Sequence, residues 1–411
     1  MNGCCDQPGL MPLNDGLNRM LAQIRTNTKT ERVLLSQLSS RVLAEDIQAA
    51  SPVPGFDNSA MDGYAIRLID IEINKPIPVQ GKSFAGQPFS EALLPGHAVR
   101  IMTGAAIPEG ADTVIMQENT TANGQHVTFH QLAETGNNIR RAGEDIGAGT
   151  TVLSKNTRLN AAHLALLASV GQCDALVFCK TRVGLLSTGD ELKTPGEPLG
   201  YGDIYNSNGP AISTMLQRLD VELIDYGIVE DDPALFRKAF HQADQECDFV
   251  ITSGGVSVGE ADYTKDILTE MGEIHFWKLA IKPGKPFAFG KLPNSYFIGL
   301  PGNPVSAMVT FHILGSQAIR QHQNLGIQPM QQLAAVTTGA IKKSPGRMDF
   351  QRGHWQATEQ GIEVSLTRSS QGSHILSSLG AANCYIALEQ DRGNVEVGEQ
   401  VTLWLFDGLM G

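Results

Sequence analysis

The feature that most constrains this chain is a change of texture near Thr181. From there to about residue 300, apolar runs of strand length alternate with helical patterns. Residues 183–186 read as a strand that leads into Ser187-Thr188-Gly189-Asp190-Glu191. Asn208 reads as the cap of a helix with Pro210 in its first turn, running to Leu219. A strand over 221–229 follows, then a helix opened by Asp232-Pro233, and then the apolar run Phe249, Val250, Ile251. The pattern closes with a helix over 263–271 and a strand over 273–279. Such alternation predicts a parallel sheet with helices on both faces, and ligands bind beyond the carboxyl ends of its strands. That rule gathers Thr188, Gly189, Asp190 and Glu191 beside Ser253, Gly254, Gly255 and Asp262, with Asp231 on the same edge.

The stretch 248–262, DFVITSGGVSVGEAD, is the centre of this arrangement. Gly254-Gly255 permits positive φ and close approach of a ligand. A strand, a loop of small residues and a helix start make an anion cradle, and nearby carboxylates add hard oxygen ligands suited to Mg²⁺. The plainer reading is a tight turn with Asp262 as a helix cap. Residues 277–286, WKLAIKPGKP, carry Lys278, Lys282 and Lys285 on a segment bent by Pro283-Gly284. A bent segment with several ammonium groups suits an oxyanion, although exposed lysines are also ordinary surface charge. Residues 299–307, GLPGNPVSA, form a turn shaped by Pro301 and Pro304, with Ser306 in the first turn of a helix whose N–H groups converge.

Outside this region the signals are shorter. Leu13, Leu17, Met20, Leu21 and Ile24 predict an amphipathic helix, and 36–47 a second, shorter one. The loop 51–67, SPVPGFDNSAMDGYAIR, is stiffened by Pro52 and Pro54 and presents Asp57, Asn58, Ser59 and Asp62. From about 77 to 152, short strands and Gly/Pro turns predict a small all-β module in which Arg100, Thr103 and Gly104 end one strand. Gly81-Lys82-Ser83 imitates the end of a P-loop, but Pro76 stands where the first glycine belongs. Residues 138–145 read as a mixed-charge turn, Arg140-Arg141 as solvated, and Asp145 as part of that turn. Asn160 caps a helix that stops at Gly171, with His163 partly buried on it. Residues 321–332 are Gln-rich and read as a linker. Beyond them, short strands predict a small β-barrel with Arg347, Arg352 and Ser373-His374 in its loops.

A chain of 411 residues exceeds one core, so several domains are expected. The boundaries fall at 51–145 for the loop-bearing β module, 179–325 for the α/β domain and 333–411 for the barrel, with 1–50 and 146–178 joined in an elongated helical and β region. A net charge of −12 argues against a general binder of nucleic acid or anionic membrane. The six cysteines form no CxxC pair, and no apolar run is long enough to span a membrane, so a reducing cytoplasmic setting is expected. No Ser-His-Asp or Cys-His set appears. The residues point to an extended phosphorylated or oxyanionic ligand, with Asp62, Glu191, Asp231 and Asp262 recruiting Mg²⁺ and lysines neutralising the anion.

The motifs PGFDNSAMDGYA, IMTGA, GEDI, STGDEL, TSGGVSVGEADY, KPGKP and GLPGNPVS, in this order, closely resemble the molybdopterin molybdenumtransferases (MoeA and the E domain of gephyrin). The resemblance spans nearly all of the chain after residue 10. It implies insertion of molybdenum from molybdate into adenylylated molybdopterin, with Mg²⁺ and release of AMP. It implies metal and phosphate handling by Asp62, Asp231 and Asp262 with Glu191 alongside, and a second cleft wall bearing Thr103 and Asp145. Molybdate would be held by Lys282, Lys285, Ser306 and Arg347, with Arg352 as a rival to Arg347. A homodimer with an intersubunit cleft is implied, as is transient contact with the adenylyltransferase and with recipient molybdoenzymes. Two alternatives differ in kind. An adenylyltransferase would consist essentially of the α/β domain alone. A scaffold is disfavoured by free-standing length.

Overall fold

The computed structural model describes residues 9–131, 134–254 and 263–410. The chain forms two compact units: one holds the residues up to Glu31, Ser40–Val42 and everything from Phe178, and the other holds Arg32–Ser39 and Leu43–Val177.

The first unit contains a six-stranded sheet in the order Glu222–Val229, Arg182–Thr188, Phe249–Ser253, Tyr296–Leu300, Pro286–Lys291, Glu273–Lys278. The first four strands are parallel. Phe249–Ser253 is buried along its whole length, as a central strand covered on both faces must be. Phe249 and Ile251 pack into a cluster with Ile212, Met215, Leu216 and the helix residues Leu13 and Met20. Val250, between them, packs on the other face with Phe236, Phe240, Ile267 and Leu268. Glu273–Lys278 and Pro286–Lys291 depart from the all-parallel expectation, because each hydrogen-bonds antiparallel to its neighbour. Only residues 292–295 join Pro286–Lys291 to Tyr296–Leu300, too few for a parallel crossover.

Three local expectations are corrected. Residues 36–47 form no helix: Leu35–Gln37 makes one 3-10 turn and Ser40 takes φ 66°. The N–H groups of Leu43 and Ala44 donate instead to the carbonyls of Thr157 and Leu176, each at 3.0 Å. Asn208 does not cap its helix. It is the first residue of Asn208–Arg218, Ser207 holds the cap position, and Asn206 Oδ1 accepts the Gly209 N–H at 2.9 Å. The Gln-rich stretch is no free linker. Gln323 is buried and donates to the Leu219 carbonyl at 2.8 Å, and the Gln328 N–H donates to Gln317 Oε1 at 2.9 Å.

The C-terminal strands Gln332–Thr337, Met348–Thr358, Gly361–Leu366, Cys384–Leu388 and Gln400–Leu405 close on themselves as a barrel around Val364, Ile386, Val401 and Leu403. A short strand from the lysine segment, Ile281–Lys282, pairs parallel with Met348 and Asp349 at its edge.

The second unit holds another six-stranded sheet, ordered Thr113–Met116, Gly63–Ile66, Ala98–Ile101, Pro76–Ser83, His126–Phe129, Thr120–Asn123. Tyr64, Ile66, Ile115, Val127 and Phe129 fill its core. The helix Ala161–Ser169 starts as the sequence predicts at Asn160, and His163 completes a capping box: its N–H donates to Asn160 Oδ1 while its ring accepts the Asn160 N–H.

Candidate active site

At the carboxyl edge of the parallel strands three turns meet. Ser187 and Ser253 are register partners, and so are Ser253 and Leu300. Gly254 has φ +100° and its N–H donates to the Leu300 carbonyl at 3.1 Å. A Cβ there would stand 2.7 Å from the Thr188 carbonyl oxygen and 2.9 Å from its hydroxyl, so the turn requires glycine. Gly302, in the next turn, backs onto Gly254: a Cβ on it would lie 3.9 Å from the Gly254 Cα. Thr188, Gly189, Ser253 and Gly254 therefore occupy one edge as expected. Gly255 and Asp262 lie outside the described residues.

The acidic residues share that edge. The Asp231 N–H donates to Asp190 Oδ1 at 2.9 Å. Asp231 is exposed, yet partial desolvation raises its carboxyl above the usual range, and the neighbouring charges of Asp190 and Glu191 push it the same way. The Glu191 carboxylate lies against Gly189, where a Cβ would come 2.5 Å from Glu191 Oε2. Among the described residues no three acidic, histidine or cysteine side chains converge in metal-binding geometry. Asp190 was legible at this edge from its place before Glu191, but its hold on the Asp231 backbone was not.

The lysine segment folds back on itself. Lys278 pairs with Pro286, and the Leu279 N–H donates to the Lys285 carbonyl at 2.7 Å. Lys282 Nζ donates to Asp349 Oδ2 at 3.3 Å; the lysine is exposed and the aspartate buried. Lys278 and Lys285 are exposed. Pro301 lies in the turn before the helix Pro304–Thr310, where Pro304 is the first residue and Ser306 is buried. Not all N–H groups of that first turn face a ligand, because Val305 donates to the Ser373 carbonyl at 3.1 Å. Arg352 is not in a loop. It lies inside Met348–Thr358, fully buried, and its guanidinium donates to Ser378 Oγ and the carbonyls of Phe350 and Gly372. Arg347, just before that strand, is half-buried. Sequence reasoning passed over Lys343, a buried ammonium that donates to the carbonyls of Ser344, Gln390 and Arg392.

In the second unit, Asp62 Oδ1 accepts the Thr103 N–H at 2.8 Å and its hydroxyl at 2.9 Å. These bonds hold the Asp62 carboxyl below its ordinary value. Asp145 lies beside the same proline-rich loop, its N–H on the Val53 carbonyl at 3.1 Å. Arg141 is not merely solvated: it donates to Asp57 at 2.6 Å, and the Ala142 N–H donates to the other carboxylate oxygen at 2.8 Å.

A doubly covered sheet with glycine turns and acids at its carboxyl edge, followed by a closed barrel, defines a multidomain α/β protein with a β-barrel domain. Three family models match the chain: the MoeA N-terminal region (domain I and II) over residues 11–171, a probable molybdopterin binding domain over 184–321, and the MoeA C-terminal region (domain IV) over 334–406. A molybdopterin molybdenumtransferase of Haemophilus influenzae is 49% identical over 98% of this chain and 100% of its own length. One of Bacillus subtilis is 34% identical over 96% and 94%. The crystal structure of the molybdopterin biosynthesis MoeA protein from Pyrococcus horikoshii OT3 superposes with TM-score 0.82 at 30% identity, covering 97% of this chain and all of that one. This chain belongs to the molybdopterin molybdenumtransferase (MoeA) family. The matched regions on either side of the α/β domain disfavour the adenylyltransferase alternative.

Proposed function

We propose that this chain, a transferase of molybdenum cofactor biosynthesis by its family, moves molybdenum from molybdate onto adenylylated molybdopterin and releases AMP. The observation that carries this reading is the meeting, at one strand edge, of glycine turns with a crowded acid set. Phosphate oxygens are hydrogen-bond acceptors, and the backbone turns at Thr188-Gly189 and Ser253-Gly254 are the groups to receive them. Desolvation first, and then the charges of Asp190 and Glu191, raise Asp231, and a divalent cation relieves the like-charge part. Mg²⁺ needs only one or two carboxylates beside substrate phosphates and water, so the residues fit it without a preformed cage. Asp231 and Glu191 would hold it, with Asp262 and Asp62 as the family-implied partners. The chemistry Mg²⁺ supplies when bound is neutralisation of the phosphate charge while the anhydride breaks.

Lys282 and Lys285, with Ser306, Arg347 and Lys278, would hold the tetrahedral dianion, and Pro301 and Pro304 fix the turn that carries Ser306. Thr103 fixes Asp62 by two hydrogen bonds. A homodimer whose intersubunit cleft brings Asp62, Thr103 and Asp145 to the strand edge completes the reading, in a cytoplasmic setting; no helix among the described residues is long and apolar enough to cross a membrane. The test is AMP release from adenylylated molybdopterin with Mg²⁺, with and without molybdate. Molybdate-stimulated release is the expected result. Tight binding with no release in either condition overturns it.

A further inference from the structure

Asn208 opens the helix Asn208–Arg218 and is only 8% exposed. Its Nδ2 donates to the Gly302 carbonyl at 2.7 Å. A carbonyl only accepts, so this bond fixes which end of the amide is nitrogen. The remaining atom, Oδ1, is buried and has no hydrogen-bond partner among the described residues. Gly302 backs onto Gly254, and Gly254 onto Thr188, whose buried hydroxyl is likewise unpartnered. Two orphaned polar atoms thus lie on one chain of contacts, Asn208–Gly302–Gly254–Thr188, at the strand edge described above. An unpaired buried acceptor costs folding free energy, and natural folds retain few of them.

We propose that Asn208 Oδ1 reads a hydrogen-bond donor on the organic part of the substrate, an N–H or O–H of the pterin or of the nucleoside. This rests on the molybdopterin reading of the site. Phosphate and molybdate oxygens are acceptors and do not satisfy Oδ1. A second acceptor beside glycine turns that receive phosphates lets one edge tell an anhydride joined to a donor-bearing heterocycle from a bare polyphosphate. Asn208 is then a specificity residue rather than a helix cap, and the Thr188 hydroxyl, which can donate or accept, is its companion.

The test is titration of full-length wild type, Asn208→Ala and Asn208→Ser with adenylylated molybdopterin and with molybdopterin lacking the nucleotide. Each is done with Mg²⁺ and with EDTA, and melting temperatures are read on the same samples. An affinity loss of about tenfold for both ligands, with melting near wild type, supports a donor on the pterin. The same loss for the adenylylated ligand alone supports a donor on the nucleoside. Unchanged affinity in either folded variant overturns the proposal. So does a loss seen only with Mg²⁺, which makes Oδ1 a metal ligand, or a loss that tracks lowered melting in both variants. Thr188→Val gives an independent check, expected to melt higher while binding more weakly; weaker binding without the gain in melting counts against an unpaired hydroxyl. If wild type binds neither ligand, the functional reading falls and takes this inference with it.

Discussion

Asp231 and Asp62 are both aspartates proposed for one reaction, yet their surroundings act on them in opposite directions. Asp62 is half-buried and accepts two hydrogen bonds from Thr103, which favour its anion. Asp231 has the opposite balance: partial desolvation and the charges of Asp190 and Glu191 outweigh one backbone hydrogen bond from Asp190 and disfavour its anion. The strand edge stores electrostatic cost that a cation can release, whereas the loop carries a carboxylate already settled in its charged form.

Asp231→Asn separates the two most strongly. It should lower Mg²⁺-dependent AMP release about 100- to 1,000-fold while raising the melting temperature of the ligand-free protein. Retained activity would break the contrast at its main point. Asp62→Ala should cost roughly 10- to 100-fold in AMP release and bring no rise in melting. Intact release would remove the loop from the chemistry. Lys282→Ala should raise the molybdate concentration for half-maximal stimulation about tenfold, the equivalent of one charge-assisted hydrogen bond. Titration of the nucleotide adduct should show a smaller change, and equal losses for both ligands would sink the assignment.

The smallest effect lies in pH. Asp62 is lowered, so its contribution to stability is present above the ordinary carboxylate value and is lost as pH falls through its depressed value. Asp231 is raised, so its ionisation costs stability at neutral pH, and that cost fades as pH falls through the raised value to the ordinary one. The melting gain of Asp231→Asn should therefore vanish on acidification. A gain that persists at low pH would trace it to packing instead.

The α/β domain was readable from sequence because strand and helix periodicities differ and Pro-opened helices announce themselves. Asp232 and Asn160 do cap the helices assigned to them. The antiparallel turn of Pro286–Lys291 was not readable, since a buried strand looks alike in either direction and only its short connection decides. The apolar spacing over 36–47 imitates a helix, and nothing local reveals that its N–H groups are taken by Thr157 and Leu176. The placement of Gly189, Asp190, Asp231 and Gly254 at one strand edge was legible because the residues that follow parallel strands gather there. Arg352 was not: an arginine spent on carbonyls inside a barrel reads like one kept for a ligand.

The little strand Ile281–Lys282 is written in the sequence of one domain and hydrogen-bonded into another. The Met348 N–H also reaches the Ala280 carbonyl at 2.8 Å, so the seam is continuous. A barrel cut away before residue 332 would expose the Met348–Asp349 edge, and a bare edge invites pairing with other chains. The barrel is therefore not portable as a cassette. A graft or a fusion that borrows it must carry the lysine segment too, and the α/β domain that segment belongs to keeps the N-terminal helix residues Leu13 and Met20 in its core.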